Sequence, residues 1–162
     1  MVVLGDSLAE RAPWSALLGV PVANAGYGGM LTREVTEWAV EVLHPDVETV
    51  VVWVGTNDAM EAYPHDRVSA DQRALVDTIR GCAPAARIIC LTLPPLGVHA
   101  QQVEEHAAVL AQLADEGSLT VADVTPRLRS AGMLIGDGVH ISGRGYEVVG
   151  HAMREALRRL TK

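Results

Sequence analysis

Short apolar runs alternate with longer segments of helical periodicity along this chain of 162 residues. The runs are rich in Val, Ile and Leu and almost continuously apolar, which is typical of parallel strands buried on both faces of a sheet. They predict five strands, over residues 2–4, 20–23, 49–54, 87–93 and 119–122. Helices are predicted over residues 13–18, 32–43, 69–82, 100–116, 125–131 and 142–160. The alternation predicts an α/β fold in which a parallel sheet lies between two layers of helices.

The length predicts a single domain, to which we assign residues 1–162. Hydrophobic residues make up 49% of the chain and charged residues 20%, which argues against disorder. The longest strongly apolar run, residues 50–54, is far too short to span a bilayer. No secretion signal precedes the first motif, so we expect a cytoplasmic location.

The charges exclude several classes of function. Thirteen basic and 20 acidic residues give a net charge of -7, which argues against nucleic-acid binding. The only lysine is Lys162, which excludes Schiff-base chemistry and a Walker lysine at internal positions. Cys82 and Cys90 lack the CxxC spacing, and we expect two buried, reduced thiols.

Small polar residues follow the predicted strands, where ligands bind in open α/β sheets. Gly-Asp-Ser-Leu follows the first strand at residues 5–8, and Asn-Ala-Gly-Tyr-Gly-Gly follows the second at residues 24–29. Gly-Thr-Asn-Asp follows the third at residues 55–58, and Asp-Gly-Val-His precedes the last helix at residues 137–140. We expect these segments to meet at one edge of the sheet.

Two of these segments predict a nucleophile and its base. Ser7 is the candidate nucleophile, and it needs a base within hydrogen-bond reach. His140 is the candidate base, and Asp137 could hold its second ring nitrogen and fix the tautomer. Taken singly, Ser7 suits a helix cap and Asp137 with Gly138 suits a surface turn equally well. The other histidines are interpreted as solvated or structural, with His99 nearest the site: His44, His65, His99, His106 and His151.

The glycine-rich segments predict donors for a developing oxyanion. The backbone N–H groups of Ser7 and Gly29 and the side-chain amide of Asn57 could all point at such a charge. Each has a simpler explanation, since glycine permits a tight turn and Asn57 can bond to its own turn. A dinucleotide fingerprint is a poor alternative, because Leu31 stands where the third glycine belongs.

Together the four segments resemble the SGNH hydrolases, the GDSL-type esterase/lipase family, whose naming residues would be Ser7, Gly29, Asn57 and His140. The resemblance runs from the first strand to the last helix. It implies a three-layer α/β/α sandwich with a flavodoxin-like, five-stranded parallel sheet. It also implies hydrolysis of carboxylic esters through an acyl-serine, with Ser7, His140 and Asp137 as triad, and Ser7, Gly29 and Asn57 as oxyanion donors. No cofactor or metal is implied.

The substrate and some rival functions stay open at this point. A small-molecule ester with a small acyl or acetyl group is the expected substrate, and a monomer fits the sequence. Thioesterase, lysophospholipase and acyltransferase activities would use the same acyl-serine, and a non-catalytic binding module or a receiver-type signalling domain would use the same fold. A two-metal phosphoesterase could use Asp6, Asn57, Asp58 and His140. Eight residues could line an acyl groove: Leu8, Met30, Met60, Tyr63, Leu93, Pro94, Leu96 and Val139.

Overall fold

A five-stranded, fully parallel sheet forms the centre of the protein, and its strand order is β2-β1-β3-β4-β5. The structure is a computed structural model that describes residues 1–130 and 132–160. The strands are β1 (Val2–Gly5), β2 (Ala23–Gly26), β3 (Thr49–Trp53), β4 (Arg87–Leu91) and β5 (Thr120–Ala122). The predicted flavodoxin-like sheet is therefore confirmed.

Helices cover both faces of the sheet. They are α1 (Ser7–Arg11), α2 (Trp14–Leu18), α3 (Thr32–Val42), α4 (Thr56–Met60), α5 (His65–Cys82), α6 (Ala100–Asp115) and α7 (Gly143–Arg159), with 3₁₀ turns at Gly97–His99 and Arg127–Arg129. Successive strand residues point to opposite faces, so Val3 and Val51 pack under α1, α2 and α7, while Leu4 and Val52 pack under α3, α5 and α6. This gives the predicted three layers. Within the described residues, no helix is both long and apolar enough to cross a membrane.

The second strand was predicted three residues too early. The prediction followed the apolar residues Val20 and Val22, whereas β2 pairs with β1 from Ala23 onward. Val20 is 45% exposed. As an edge strand, β2 needs no apolar run, and it is fastened by the Asn24 side chain, whose amide donates to the carbonyls of Ala9 and Glu10.

Some predicted helices also differ from the structure. Two short helices that sequence periodicity did not predict, α1 and α4, directly follow β1 and β3, because one turn of helix carries too few residues to show a period. The helix α5 begins at His65, four residues before the predicted start. The prediction missed its first turn because that turn is mostly polar and adds no apolar period. The predicted helix over residues 125–131 is only the 3₁₀ turn Arg127–Arg129, and Ala131 lies outside the described residues.

The two cysteines are free thiols in the structure. Cys90 is buried in β4, and burial raises the pKa of its thiol to about 12. Cys82, at the end of α5, is only half-buried, so the prediction of two buried thiols is wrong for Cys82.

Candidate active site

The ends of β2, β1 and β3 lie level, which brings the polar segments together. Gly5 at the end of β1 pairs with Gly26 on one side and with Trp53 on the other. The backbone there is tightly packed, since a Cβ atom on Gly5 would lie 2.0 Å from the Trp53 carbonyl oxygen. Gly5 also has a φ of 155°, so glycine is required at this position. The segments that carry Ser7, Gly29 and Asn57 therefore leave the sheet at the same edge.

Ser7 is the first residue of α1, and a buried carboxylate fixes that helix. Asp6 is fully buried and accepts hydrogen bonds from the backbone N–H of Leu8 at 2.9 Å and of Thr56 at 3.3 Å. It thereby joins the segment of Ser7 to the segment of Asn57. Burial raises the pKa of Asp6 to about 6, although both backbone hydrogen bonds oppose the shift.

A hairpin after β5 carries the other two predicted triad residues. Leu134 and Ile141 form an antiparallel bridge, and the Ile135 N–H donates to the His140 carbonyl at 2.9 Å. At its tip, Asp137 Oδ1 accepts the backbone N–H groups of Val139 and His140, both at 2.9 Å. The sequence of this turn therefore serves to fold the hairpin as well as to place a carboxylate.

The structure brings Ser7, His140 and Asp137 into one chain of hydrogen bonds. Ser7 Oγ lies 2.9 Å from His140 Nε2, and His140 Nδ1 lies 2.7 Å from Asp137 Oδ2. A carboxylate only accepts, so Nδ1 carries the ring proton and Nε2 is left to accept the serine hydroxyl. The hydrogen bonds from His140 and from the backbone lower the pKa of Asp137 to about 2.

A buried tyrosine links the helix that begins at Ser7 to the helix that follows the hairpin. Tyr146, on the first turns of α7, donates its hydroxyl to the Leu8 carbonyl at 3.1 Å. Its ring packs edge-on against Trp53, which packs in the same way against Trp14. The helix that follows His140 is thus fixed to the helix that begins at Ser7. No role was predicted for Tyr146 from the sequence.

One side-chain hydrogen bond joins the segment of Asn57 to the glycine-rich segment of Gly29. The Asn57 amide donates one N–H to the Met30 carbonyl at 2.8 Å, which ties α4 to the glycine-rich segment. Gly29 has a φ of 84°, and a Cβ added there would meet no atom within 4 Å. Asp58, the residue after Asn57, is buried and accepts two hydrogen bonds from Thr32, both at 3.0 Å. Burial raises the pKa of Asp58.

Asp6 and Asp58, which the sequence suggested only as metal ligands, instead hold backbone segments, and each adjoins a predicted site residue. The second oxygen of Asp58, Oδ1, is buried without a hydrogen-bond partner. Among the described residues, no group of three or more His, Cys, Asp or Glu side chains is placed to hold a metal ion. His106 is buried under Gly55, whereas His99 is half-buried on a 3₁₀ turn.

An open groove of about 610 Å³ begins at Gly29 and follows α3. The exposed rings of Tyr27 and Trp38 border it, and the Trp38 indole donates to the Ala25 carbonyl at 3.0 Å. The described side chains that line it include three carboxylates and no basic group: Glu34, Glu37 and Glu41.

Half of the eight proposed acyl-groove residues are buried. Leu8, Leu93 and Pro94 lie in the core, so the prediction that they line an open groove is wrong. Leu96 is also buried but borders an open cavity of about 340 Å³, and Met30 lines the groove along α3. The loop after β4 folds its leucines inward, where they pack with Ala59 and Val103. Val139, next to His140, packs against this cluster from outside.

Comparison with known proteins agrees with this architecture. The sequence profile of the GDSL-like lipase/acylhydrolase family matches residues 3–148. The platelet-activating factor acetylhydrolase IB subunit alpha1 of Rattus norvegicus is 30% identical over 99% of this chain and 75% of its own length. A lipolytic protein of the G-D-S-L family from Desulfitobacterium hafniense is 22% identical with a TM-score of 0.82, over 96% of this chain and 97% of that one.

A third relative is a catalytic mutant of an acetylxylan esterase from Geobacillus stearothermophilus. Its structure gives a TM-score of 0.81 at 17% identity, over 96% of this chain and 92% of that one. Because the sequence identity to these two structures is low, their high TM-scores show a shared fold and nothing further. The family profile, in contrast, matches most of the sequence. The chain therefore belongs to the GDSL-like lipase/acylhydrolase family of ester-hydrolysing enzymes.

Proposed function

We propose that this protein is a serine esterase that hydrolyses small acyl esters, acetyl esters above all, with one hydrolase domain over residues 1–162. The observation that carries the proposal is the hydrogen-bond chain from Ser7 Oγ through His140 to Asp137 Oδ2. A serine hydroxyl becomes a nucleophile when a neutral imidazole accepts its proton, and a carboxylate on the far ring nitrogen stabilises the imidazolium that results.

The reaction takes two steps. His140 Nε2 removes the Ser7 proton as Oγ attacks the ester carbonyl, and the imidazolium then protonates the leaving alcohol. Water repeats the attack on the acyl-serine, releases the acid and restores the serine. The oxyanion forms twice, and the N–H groups of Ser7 and Gly29 and the second N–H of the Asn57 amide stabilise it. The Met30 carbonyl, which binds the first N–H of that amide, supports this orientation.

A small acyl group is favoured because the apolar residues beside His140 are largely engaged in packing. Val139, which precedes His140, packs on the buried cluster of Leu93, Leu96 and Ala59. The groove along α3 is open and lined by carboxylates and aromatic rings, which suits the alcohol part of the ester. The acetyl-ester names of two relatives, an acetylhydrolase and an acetylxylan esterase, support the same choice.

Covalent labelling together with an acyl-length series tests this proposal. A fluorophosphonate should add to Ser7, and Ser7→Ala should abolish labelling and lower kcat by about 10⁴-fold or more. Among p-nitrophenyl esters, kcat/KM should be highest for acetate and fall as the acyl chain lengthens. Labelling of another serine, with activity retained in Ser7→Ala, would refute the nucleophile. A preference for long acyl chains would refute the substrate class.

A further inference from the structure

A buried histidine that takes no part in the proposed reaction supports the segment before Asn57. His106 lies on α6 and is 2% exposed. Its ring packs against Gly55, where an added Cβ would lie 2.7 Å from both Cδ2 and Nε2 of the imidazole. Gly55 has a φ of 119° and forms the N-cap of α4, the helix that carries Asn57. The backbone of this segment therefore lies directly on the imidazole ring.

The hydrogen-bond contacts of His106 run through one ring nitrogen, Nε2, while Nδ1 is buried without a partner. Nε2 lies 3.1 Å from the Val54 carbonyl oxygen, which can only accept, so this nitrogen carries the ring proton. The side-chain amide of Gln72 lies 3.1 Å from the same nitrogen. With the amide oxygen turned toward Nε2, Gln72 and the Val54 carbonyl both accept the ring N–H. Burial lowers the pKa of His106 to about 4, so the ring stays neutral near pH 7. His106 is thus a fixed donor and does not compete with His140 as a base.

A second anchor lies on the other side of Asn57, where Thr32 donates its hydroxyl and its backbone N–H to Asp58. Asn57 therefore lies between two anchored positions: the Val54 carbonyl, bound by His106, and the Asp58 carboxylate, bound by Thr32. The Met30 carbonyl orients its side chain but does not set the path of the backbone.

We infer that His106 is a positioning residue for the oxyanion donor Asn57, acting through the Val54 carbonyl and the Gly55 backbone. The inference rests on the proposed function, in which the Asn57 amide stabilises the oxyanion. Displacement of a donor by about 1 Å costs on the order of 10²-fold in rate, so a histidine outside the reacting groups can control turnover. Its effect should fall on kcat, because substrate binding does not require the oxyanion donor.

Two polar substitutions of nearly equal size separate positioning from packing. The Gln Nε2 can occupy the place of the histidine Nε2 and donate to Val54, whereas the Asn amide ends short of it. We expect His106→Gln to keep kcat within about 3-fold of the parent and His106→Asn to lower it about 10- to 100-fold, with KM nearly unchanged in both. Leu110→Ala, at a buried core position of the same helix, is the control for lost stability and should leave kcat unchanged.

A double-mutant cycle with Asn57→Ala decides whether His106 acts through Asn57. If it does, His106→Asn should lower kcat in the parent but by less than about 2-fold in the Asn57→Ala background. Three outcomes would overturn the inference and leave the proposed function standing. They are an equal loss of kcat in both backgrounds, no loss of kcat in either, and a loss of kcat in His106→Gln as large as in His106→Asn. A kcat unchanged by Asn57→Ala alone would instead refute the oxyanion role of Asn57, and the inference with it. The p-nitrophenyl acetate rate and the melting temperature are measured for every variant.

Discussion

Asp137 binds His140 with both of its carboxylate oxygens. Oδ2 lies 2.7 Å from the Nδ1 atom of the ring, and Oδ1 accepts the backbone N–H of the same histidine at 2.9 Å. One carboxylate therefore shapes the turn and holds the imidazole. Because separate oxygens carry these two functions, a single substitution can remove one and keep the other.

Asp137→Asn should lower kcat about 10²- to 10⁴-fold and leave the fold intact. The asparagine oxygen can still accept the two backbone N–H groups, but its NH₂ cannot accept from Nδ1, so the tautomer that leaves Nε2 free is lost. The Asp137 side chain is 45% exposed, so the melting temperature should change little. Steady-state kinetics and thermal unfolding of the same preparation check this, and an active Asp137→Asn variant would contradict the role of Asp137.

With His140 as the base, activity should rise with pH between about pH 5 and 8. His140 Nε2 must be unprotonated to accept the Ser7 proton, whereas the low pKa of Asp137, about 2, keeps the carboxylate charged throughout. The test is kcat/KM for p-nitrophenyl acetate between about pH 5 and 8, with circular dichroism at each pH as the control for folding. A steady fall in activity over this range, with the protein folded, would exclude His140 as the base.

Asn57→Ala should lower kcat about 10²- to 10³-fold with little change in KM, because the lost N–H acts on the transition state. Slow labelling of Ser7 should persist, since His140 still activates it. If Asn57 only closes its turn, the melting temperature should fall, and KM and kcat should change together. Asn57→Asp sharpens the comparison, because it places a negative charge against the oxyanion. A folded and nearly fully active Asn57→Asp variant would refute the role of Asn57.

Two buried groups should give opposite pH dependences of stability. Asp6 in the folded state keeps its proton up to about pH 6, while the unfolded chain releases it near 3.8, so the free energy of unfolding falls as pH rises through this window. His106 in the folded state stays neutral down to about pH 4, while the unfolded chain binds a proton below 6.5. Its contribution therefore rises with pH over nearly the same window, and the two largely cancel.

Substitution of either group should reveal the contribution of the other. Relative to the parent, the free energy of unfolding of His106→Gln should decrease with pH, and that of Asp6→Asn should increase, each by roughly 1.4 kcal/mol per pH unit. Urea unfolding at about pH 4.5, 5.2 and 6 measures these slopes. Equal pH dependence in the two variants would show that these groups do not titrate as their burial implies.

The carboxylates of the groove should disfavour esters that carry a negative charge in the alcohol part. Neutralising Glu37 and Glu41 together as glutamines should raise kcat/KM for 4-acetoxybenzoate by about 2- to 5-fold at low salt, and this gain should shrink at high salt. The neutral methyl ester of the same compound should be unaffected. The matched control is the double variant Asp46→Asn and Glu48→Gln. It changes the net charge by the same amount just before β3, at the amino ends of the strands. An equal gain in kcat/KM for both double variants would show that the groove does not contact the substrate.

The sheet could be predicted because strands buried on both faces consist of nearly continuous apolar residues. Thr49–Trp53, which is buried at every position, is an example. The edge strand β2 could not, because Asn24 holds it through hydrogen bonds to Ala9 and Glu10 that leave no apolar pattern. Ser7 and His140 were predicted as partners from motif order, and the structure places them in contact, while their chemical roles stay predictions. His106 could not be found, because its contacts with Val54 and Gly55 depend on how α6 packs on the sheet.

The 133 positions that separate Ser7 from His140 have a consequence for synthesis on the ribosome. Ser7, Gly29 and Asn57 are all synthesised before β4, and β1 cannot take its central place until β3 is available to pair with it. A nascent chain therefore carries the proposed nucleophile and oxyanion donors long before it carries the proposed base. In the proposed mechanism Ser7 is activated only when His140 lies against it, so a chain that still lacks the hairpin of His140 lacks its base.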